Sequence, residues 1–162
     1  MQLDDFVPSG NQAADPQIYE IENAAIDREG VLWSALQAQA PWADKVLLDL
    51  GCGTGFWLPR AHGAAEVIGV EPDVSLLEAA RNRPGGARVL HGSAEHLPLP
   101  DSSVDVVHAR WAYFFGPGCE PGLRELDRVV ARGGTAFVID NDATRSTFGS
   151  WFRRGWPDFD PV

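Results

Sequence analysis

A glycine-rich loop directly after a short apolar run is the feature that most constrains the fold of this chain. The run Val46–Leu50 indicates a buried strand, and Gly51, Gly53 and Gly55 follow it at once. Glycine adopts backbone conformations that other residues avoid, and it lets a ligand approach the main chain closely. The arrangement predicts a ligand-binding turn between a strand and a helix; the alternative is a tight turn that binds nothing.

The rest of the chain alternates between strand and helix patterns. Helical patterns cover residues 16–23, 28–39, 56–65, 74–81 and 120–131, and Gly133 is the expected C-cap of the last. Strand patterns cover residues 46–50, 66–71, 87–91, 104–109 and 135–139, the fourth being apolar enough to be buried on both faces. Strands that alternate with helices predict an α/β fold with a doubly wound, mostly parallel sheet.

The acidic composition limits the kinds of partner. The formal net charge is −10 at pH 7, whereas binding to nucleic acid or to an anionic membrane needs a basic surface. No apolar run is long enough to span a bilayer, and residues 1–15 lack the pattern of a signal peptide. The chain has only two cysteines, too few for a disulfide framework, so it is expected to be cytoplasmic. Its length predicts a single domain over residues 16–162 after a flexible arm over residues 1–15, and its charge favours a small-molecule substrate.

Residues beside the loop distinguish between kinds of cofactor. The dinucleotide fingerprint needs its third glycine one position later, where this chain has Phe56. The carboxylate of Asp49, just before the turn, would repel a pyrophosphate but suits a cofactor with an ammonium and a sulfonium. Glu71 ends the second strand, where an acid can accept hydrogen bonds from both ribose hydroxyls, unless it is simply a solvated acid at a strand end.

Four segments resemble the motifs of class I S-adenosylmethionine-dependent methyltransferases, especially the type-11 group. They occur in the order of that family and read LDLGCGTG at 48–55, VIGVEPD at 67–73, AEHLPLPDSSVDVV at 94–107 and RELDRVVARGG at 124–134. The resemblance implies a Rossmann-like sheet with strand order 3-2-1-4-5, preceded by N-terminal helices. It also implies S-adenosylmethionine as the cofactor.

The resemblance further implies roles for single positions. The methionine part would lie against Asp49 and the loop residues Gly51, Cys52, Gly53 and Gly55, where Cys52 is a small turn residue rather than a nucleophile. Glu71 would bind the ribose, Pro72 would lie beside the adenine, and the adenine edge would be flanked by Ser93, Ala94 and Glu95. Tyr19 in the N-terminal helix would close over the methionine end, and Arg110 after the fourth strand would pass near the cofactor. The family often has an acid where this chain has Ser93.

The methyl acceptor is expected over the carboxyl ends of the strands. The candidates there are Arg110, Trp111, Tyr113, Phe114, Phe115, Asp140, Asn141 and Asp142. The aromatic residues would hold an apolar or aromatic acceptor or belong to the core, and the acids would end a strand rather than bind a metal. His108 is the best candidate for a base, with a structural histidine as the alternative, so no catalytic residue is assigned.

The sequence therefore predicts methyl transfer to a small molecule by direct displacement. One alternative is a noncatalytic S-adenosylmethionine-binding partner or sensor protein; another is a nicotinamide-dependent reductase, which Phe56 and Asp49 disfavour. Residues 143–162 are too short and too interrupted by proline to form the helix and strand pair that usually follow the fifth strand. We therefore expect a C-terminally truncated domain whose fifth strand, residues 135–139, is an open apolar edge. Such an edge favours a homodimer that pairs through it, unless the aromatic residues of the tail cover it.

Overall fold

The computed structural model describes residues 16–112 and 118–140, and five parallel strands form its sheet. The strand order β3-β2-β1-β4-β5 confirms the predicted order. The strands are β1 Val46–Leu50, β2 Glu66–Glu71, β3 Arg88–His91, β4 Val104–Arg110 and β5 Val130–Ile139. The α-helices are α1 Pro16–Ile26, α2 Val31–Gln39, α3 Val74–Arg81 and α4 Glu120–Val129.

The helix predicted over residues 56–65 is wrong. A single 3₁₀ turn, Leu58–Ala61, takes its place, and His62 after it is already extended, with φ −56° and ψ 143°. Pro59 lacks a backbone N–H and fits only the first turn of a helix. Gly63 follows in a left-handed conformation, with φ +89°, so the segment has no room for a second helical turn.

The boundary between α4 and β5 was also predicted wrongly. The helix ends at Val129 instead of residue 131, because Val130 is extended and pairs with Val104 of β4. The next pairing joins Thr135 to Val106, so β5 contains more residues than the facing part of β4 and bulges there. Gly133, with φ +81°, lies in this bulge rather than at the helix C-cap.

The alternation of side chains along the strands separates two core regions. Leu48, Leu50 and Val107 point to the face that packs on α4, while Leu47 and Val106 point to the face covered by α2 and the 3₁₀ turn. β4 is buried on both faces, as predicted. The same alternation puts three polar residues of β1 and β4 on the α2 face, namely Asp49, His108 and Arg110.

β5 pairs with β4 and is an edge strand of the described sheet. Val138 on this strand is 36% exposed. Within residues 16–112 and 118–140, no helix has the length and apolar character that a membrane span requires. The predictions for the arm over residues 1–15, for the tail over residues 143–162 and for Tyr113, Phe114, Phe115, Asn141 and Asp142 concern positions outside the described residues.

Candidate functional site

The glycine loop folds over the carboxyl ends of β1 and β2. Gly51, Gly53 and Gly55 all have left-handed backbone conformations, with φ between +56° and +74°. The backbone N–H groups of Gly51 and Cys52 both donate to the carbonyl of Val70, at 2.9 and 3.1 Å. These bonds attach the start of the loop to β2, so the loop is a built turn rather than a loose connection.

Glu71 at the end of β2 holds the middle of this loop. Its side chain is buried, and its two carboxylate oxygens accept hydrogen bonds from the N–H groups of Gly53 and Asp73, both at 2.8 Å. Burial raises the pKa of Glu71, and the two backbone N–H groups oppose that shift. The alternative of a solvated acid is therefore wrong. A carboxylate has about four acceptor positions, so Glu71 can still accept bonds from a ligand.

Asp49 at the end of β1 forms a buried ion pair with Arg110 of β4. Arg110 Nη2 lies 2.8 Å from both oxygens of Asp49, and the two side chains are only 6% and 4% exposed. Burial raises the pKa of Asp49, while the Arg110 charge and hydrogen bonds oppose that shift. The second terminal nitrogen, Arg110 Nη1, is buried and has no hydrogen-bond partner in the described part of the chain.

Tryptophans from three separate segments enclose the α2 side of this ion pair. The Arg110 guanidinium lies 4.6 Å from the centre of the Trp57 ring and 5.8 Å from that of Trp33, and these two rings stack at 5.7 Å. Trp42 packs edge-on against Trp33 at 5.1 Å. None of these three residues was predicted for the site, and their signal in the sequence was the high tryptophan content, six residues in 162.

His108 lies inside this aromatic compartment. It is fully buried, its ring packs edge-on against Trp33, Trp42 and Phe137, and neither ring nitrogen has a hydrogen-bond partner within the described residues. Burial and the nearby Arg110 charge lower the pKa of His108 to about 4, so the ring is neutral at pH 7. These contacts support the structural role for His108 and leave it enclosed rather than open to an acceptor.

Helix α1 covers the loop from the N-terminal side. A Cβ atom on Gly53 would lie only 2.5 Å from the hydroxyl of Tyr19, which shows how closely the phenol approaches the loop. Burial raises the pKa of Tyr19, with contributions from Glu71 and Asp49, so the phenol stays protonated.

Three polar contacts fix α1 in this position. Glu20 accepts a hydrogen bond from Thr54 Oγ1 at 2.5 Å and pairs with Arg83, and Asn23 Oδ1 accepts one from Trp57 Nε1 at 3.4 Å. Arg83 also donates to the carbonyl of Thr54 at 2.9 Å. α1 is therefore attached to the glycine loop at Thr54 and to Trp57 just after it.

The loop after β3 lies next to the Glu71 end of β2. Gly92 N–H donates to the carbonyl of Glu71 at 3.3 Å, and His91 Nε2 contacts the carbonyl of Pro72 at 3.1 Å. Ser93 forms an isolated antiparallel bridge with His96. Ser93 and Ala94 are half-buried, whereas Glu95 is exposed.

The predicted site residues therefore come together at one end of the sheet. Glu71, Pro72, Ser93, Ala94 and the exposed Glu95 lie on the side of β2 and β3. A second group lies at β1 and β4 under α1: Tyr19, Asp49, Gly51, Cys52, Gly53 and Arg110. Gly55 differs, because a Cβ there would lie 2.9 Å from both Ala80 and Leu58, so packing against α3 explains this glycine. Burial raises the pKa of the Cys52 thiol, which agrees with a small turn residue.

No group of three or more His, Cys, Asp or Glu side chains in the described ranges is placed to hold a metal ion. The site is thus built from a buried carboxylate at the end of each of β1 and β2, a glycine loop between them and an enclosed guanidinium. This arrangement can bind a ligand with cationic and hydroxyl groups without a metal ligand set of its own.

Comparisons with known proteins find relatives among methyltransferases. The family model described as "Methyltransferase domain" matches residues 48–138, more than half of the chain. The chain is 31% identical over 113 residues to the malonyl-[acyl-carrier protein] O-methyltransferase of Pectobacterium atrosepticum, covering 67% of this chain and 44% of that protein. It is 31% identical over 100 residues to a demethylmenaquinone methyltransferase of Staphylococcus aureus, covering 57% of this chain and 42% of that protein. The chain thus spans less than half the length of these curated relatives.

Solved structures show the same fold. A structure from Methanococcus maripaludis aligns with a TM-score of 0.70 over 96% of this chain and 77% of its own, at 16% identity. An S-adenosylmethionine-dependent methyltransferase from Mesorhizobium loti aligns with a TM-score of 0.57 at 27% identity, over 65% of this chain and 51% of its own.

Proposed function

This chain belongs to the methyltransferase-domain family, and from that premise we propose that it transfers a methyl group from S-adenosylmethionine to a small-molecule acceptor. The observation that carries the proposal is a pair of buried carboxylates: Asp49 just before the glycine loop, and Glu71, which holds the middle of that loop. A carboxylate beside a glycine loop favours a ligand that carries a cationic group.

The residues present fit this cofactor. Asp49 supplies a negative charge for the ammonium group, and Glu71 keeps free acceptor positions for the ribose hydroxyls although two backbone N–H groups already bind it. Pro72, Ser93 and Ala94 lie at the adjacent strand ends, where we propose that the adenine binds. Tyr19 covers the methionine end as a neutral hydrogen-bond donor.

When bound, S-adenosylmethionine supplies a methyl group on a positively charged sulfur, which an acceptor atom can displace directly. The chain's contribution is to hold the reacting groups in place and to exclude water, and such positioning supplies much of the rate of a two-substrate reaction. Cys52 is buried and its thiol stays protonated, and His108 is enclosed by aromatic rings. Both observations support direct transfer without a covalent intermediate on these residues.

The acceptor is proposed only as a class. The formal net charge of −10 disfavours nucleic acid and supports a small molecule. The relatives named above include proteins named for a malonyl-carrier substrate and for a quinone, so family membership does not select one acceptor.

The experiment is a thermal shift with S-adenosylhomocysteine, S-adenosylmethionine and NAD, because a ligand at about 100 times its Kd stabilises a fold by roughly 2.7 kcal/mol. We expect the two adenosyl ligands, but not NAD, to raise Tm. An acceptor screen then measures the release of S-adenosylhomocysteine. A shift with NAD alone would refute the cofactor, whereas binding without turnover of any acceptor would indicate a noncatalytic binding protein.

A further inference from the structure

The unpaired nitrogen of Arg110 is a polar group that the proposed function does not yet use. The Arg110 side chain is 6% exposed, Nη2 donates to both oxygens of Asp49, and Nη1 is buried without a hydrogen-bond partner in the described part of the chain. A buried charged donor that lacks an acceptor is costly, so it is rare in native proteins and needs a partner that the described residues do not supply. We propose that Nη1 binds the carboxylate of the amino-acid end of S-adenosylmethionine, an inference that rests on the proposed function.

The guanidinium is held in place before any ligand binds. It lies 4.6 Å from the Trp57 ring and 5.8 Å from the Trp33 ring, and Asp49 fixes its other terminal nitrogen. Arginine presents its donors in a rigid, planar fork, so fixing one nitrogen also fixes the direction of the other. Little side-chain entropy is then lost when a carboxylate binds to Nη1.

The position of the pair suits an α-amino-acid group. Asp49 pairs in register with His108, and Arg110 lies two residues closer to the carboxyl end of β4, where ligands bind in open parallel sheets. Asp49 is complementary to an ammonium and Arg110 to a carboxylate. A zwitterion adds no net charge to this buried site, so both protein charges remain compensated after binding.

Other arginines near the loop are already paired. Arg60 stacks on Trp57 at 4.3 Å but its charge faces Asp27 at 3.9 Å, and Arg83 pairs with Glu20. Arg60 therefore provides a matched control: it contacts the same tryptophan ring as Arg110 but does not contact Asp49.

The test is calorimetric binding of three nucleosides to the full chain. The probes are S-adenosylhomocysteine, its decarboxylated analogue, which keeps the ammonium, and 5′-methylthioadenosine, which lacks the amino-acid part. We expect the wild-type chain to bind S-adenosylhomocysteine roughly tenfold or more tightly than the decarboxylated analogue, as for a charge-assisted hydrogen bond. Arg110→Gln should bind these two ligands equally, and Arg60→Gln should keep the wild-type preference.

A second variant covers the case in which Arg110→Gln does not fold because Asp49 loses its cation. Asp49→Asn/Arg110→Gln removes both charges and should bind S-adenosylhomocysteine no more tightly than 5′-methylthioadenosine. Equal binding of the first two ligands by the wild-type chain, or a preference for the carboxylate in either folded variant, would overturn the assignment of Arg110. If the wild-type chain binds none of the three nucleosides, the proposed function itself fails, which is a separate result.

Discussion

Replacing Glu71 with alanine should weaken both cofactor binding and the fold. The buried carboxylate accepts the N–H groups of Gly53 and Asp73, each at 2.8 Å, so Glu71→Ala leaves one donor in the glycine loop and one at the start of α3 without an acceptor. The loop would keep its attachment to Val70 but lose the contact that fixes its middle glycine. Stability and affinity should therefore fall together.

The magnitude follows from these two bonds. A buried donor left unsatisfied costs about 1–3 kcal/mol, and water entering the vacated space should keep each cost near the lower end, so we expect a loss of about 2–4 kcal/mol in the free energy of unfolding. A domain of ordinary stability, roughly 5–15 kcal/mol, stays folded after such a loss. Removing the charge-assisted bonds proposed for the ribose should weaken the binding of S-adenosylhomocysteine roughly tenfold or more.

Urea unfolding and calorimetric titration with S-adenosylhomocysteine measure the two effects separately. Glu66 begins the same strand and forms an exposed pair with Arg88, so Glu66→Ala is the matched control and should change stability by about 0–1 kcal/mol and affinity not at all. Glu71→Gln keeps one acceptor oxygen and should fall between the wild type and alanine. If Glu71→Ala matches Glu66→Ala in both measurements, Glu71 neither supports the loop nor binds the ligand.

Three further substitutions test the surroundings of the site. Gly30→Ala should cost only the roughly 1–2 kcal/mol of left-handed strain, because Gly30 has open space around it, whereas Gly53→Ala should cost more, because its methyl group would lie 2.5 Å from the Tyr19 hydroxyl. Tyr19→Phe should restore part of the stability lost in Gly53→Ala, and the absence of such a rescue in urea unfolding would refute the contact. Asp27 accepts the N–H groups of Leu32 and Trp33 at 3.0 and 2.9 Å, so Asp27→Ala should cost about 1–2 kcal/mol in thermal unfolding, and exposed Glu29→Ala almost nothing. The pKa of His108 is about 4 in the folded chain and about 6.5 in the unfolded chain, so the wild type should lose about 3 kcal/mol of stability as the pH falls from above 6.5 to below 4. His108→Phe should remove this part of the pH dependence, and an unchanged stability profile would contradict the burial of a neutral ring.

The sequence alone determined the elements whose signals are local. Apolar runs bounded by turn residues located β1 and β2 at their observed bounds, and the spacing of the glycines identified the loop that follows β1. The acids were found because Asp49 is the penultimate residue of β1 and Glu71 the last of β2, and parallel strands bring their carboxyl ends together.

Only the tertiary structure decided what these acids contact. Asp49 and Arg110 meet because β1 and β4 are neighbours in the sheet, and the tryptophan compartment forms because α2, the segment after it and the 3₁₀ turn pack on the same face. The end of α4 likewise depends on the pairing of Val130 with Val104 of another strand. Helix and strand periodicity reports which residues share a face, but a contact between two elements depends on their relative placement, which a local pattern does not contain.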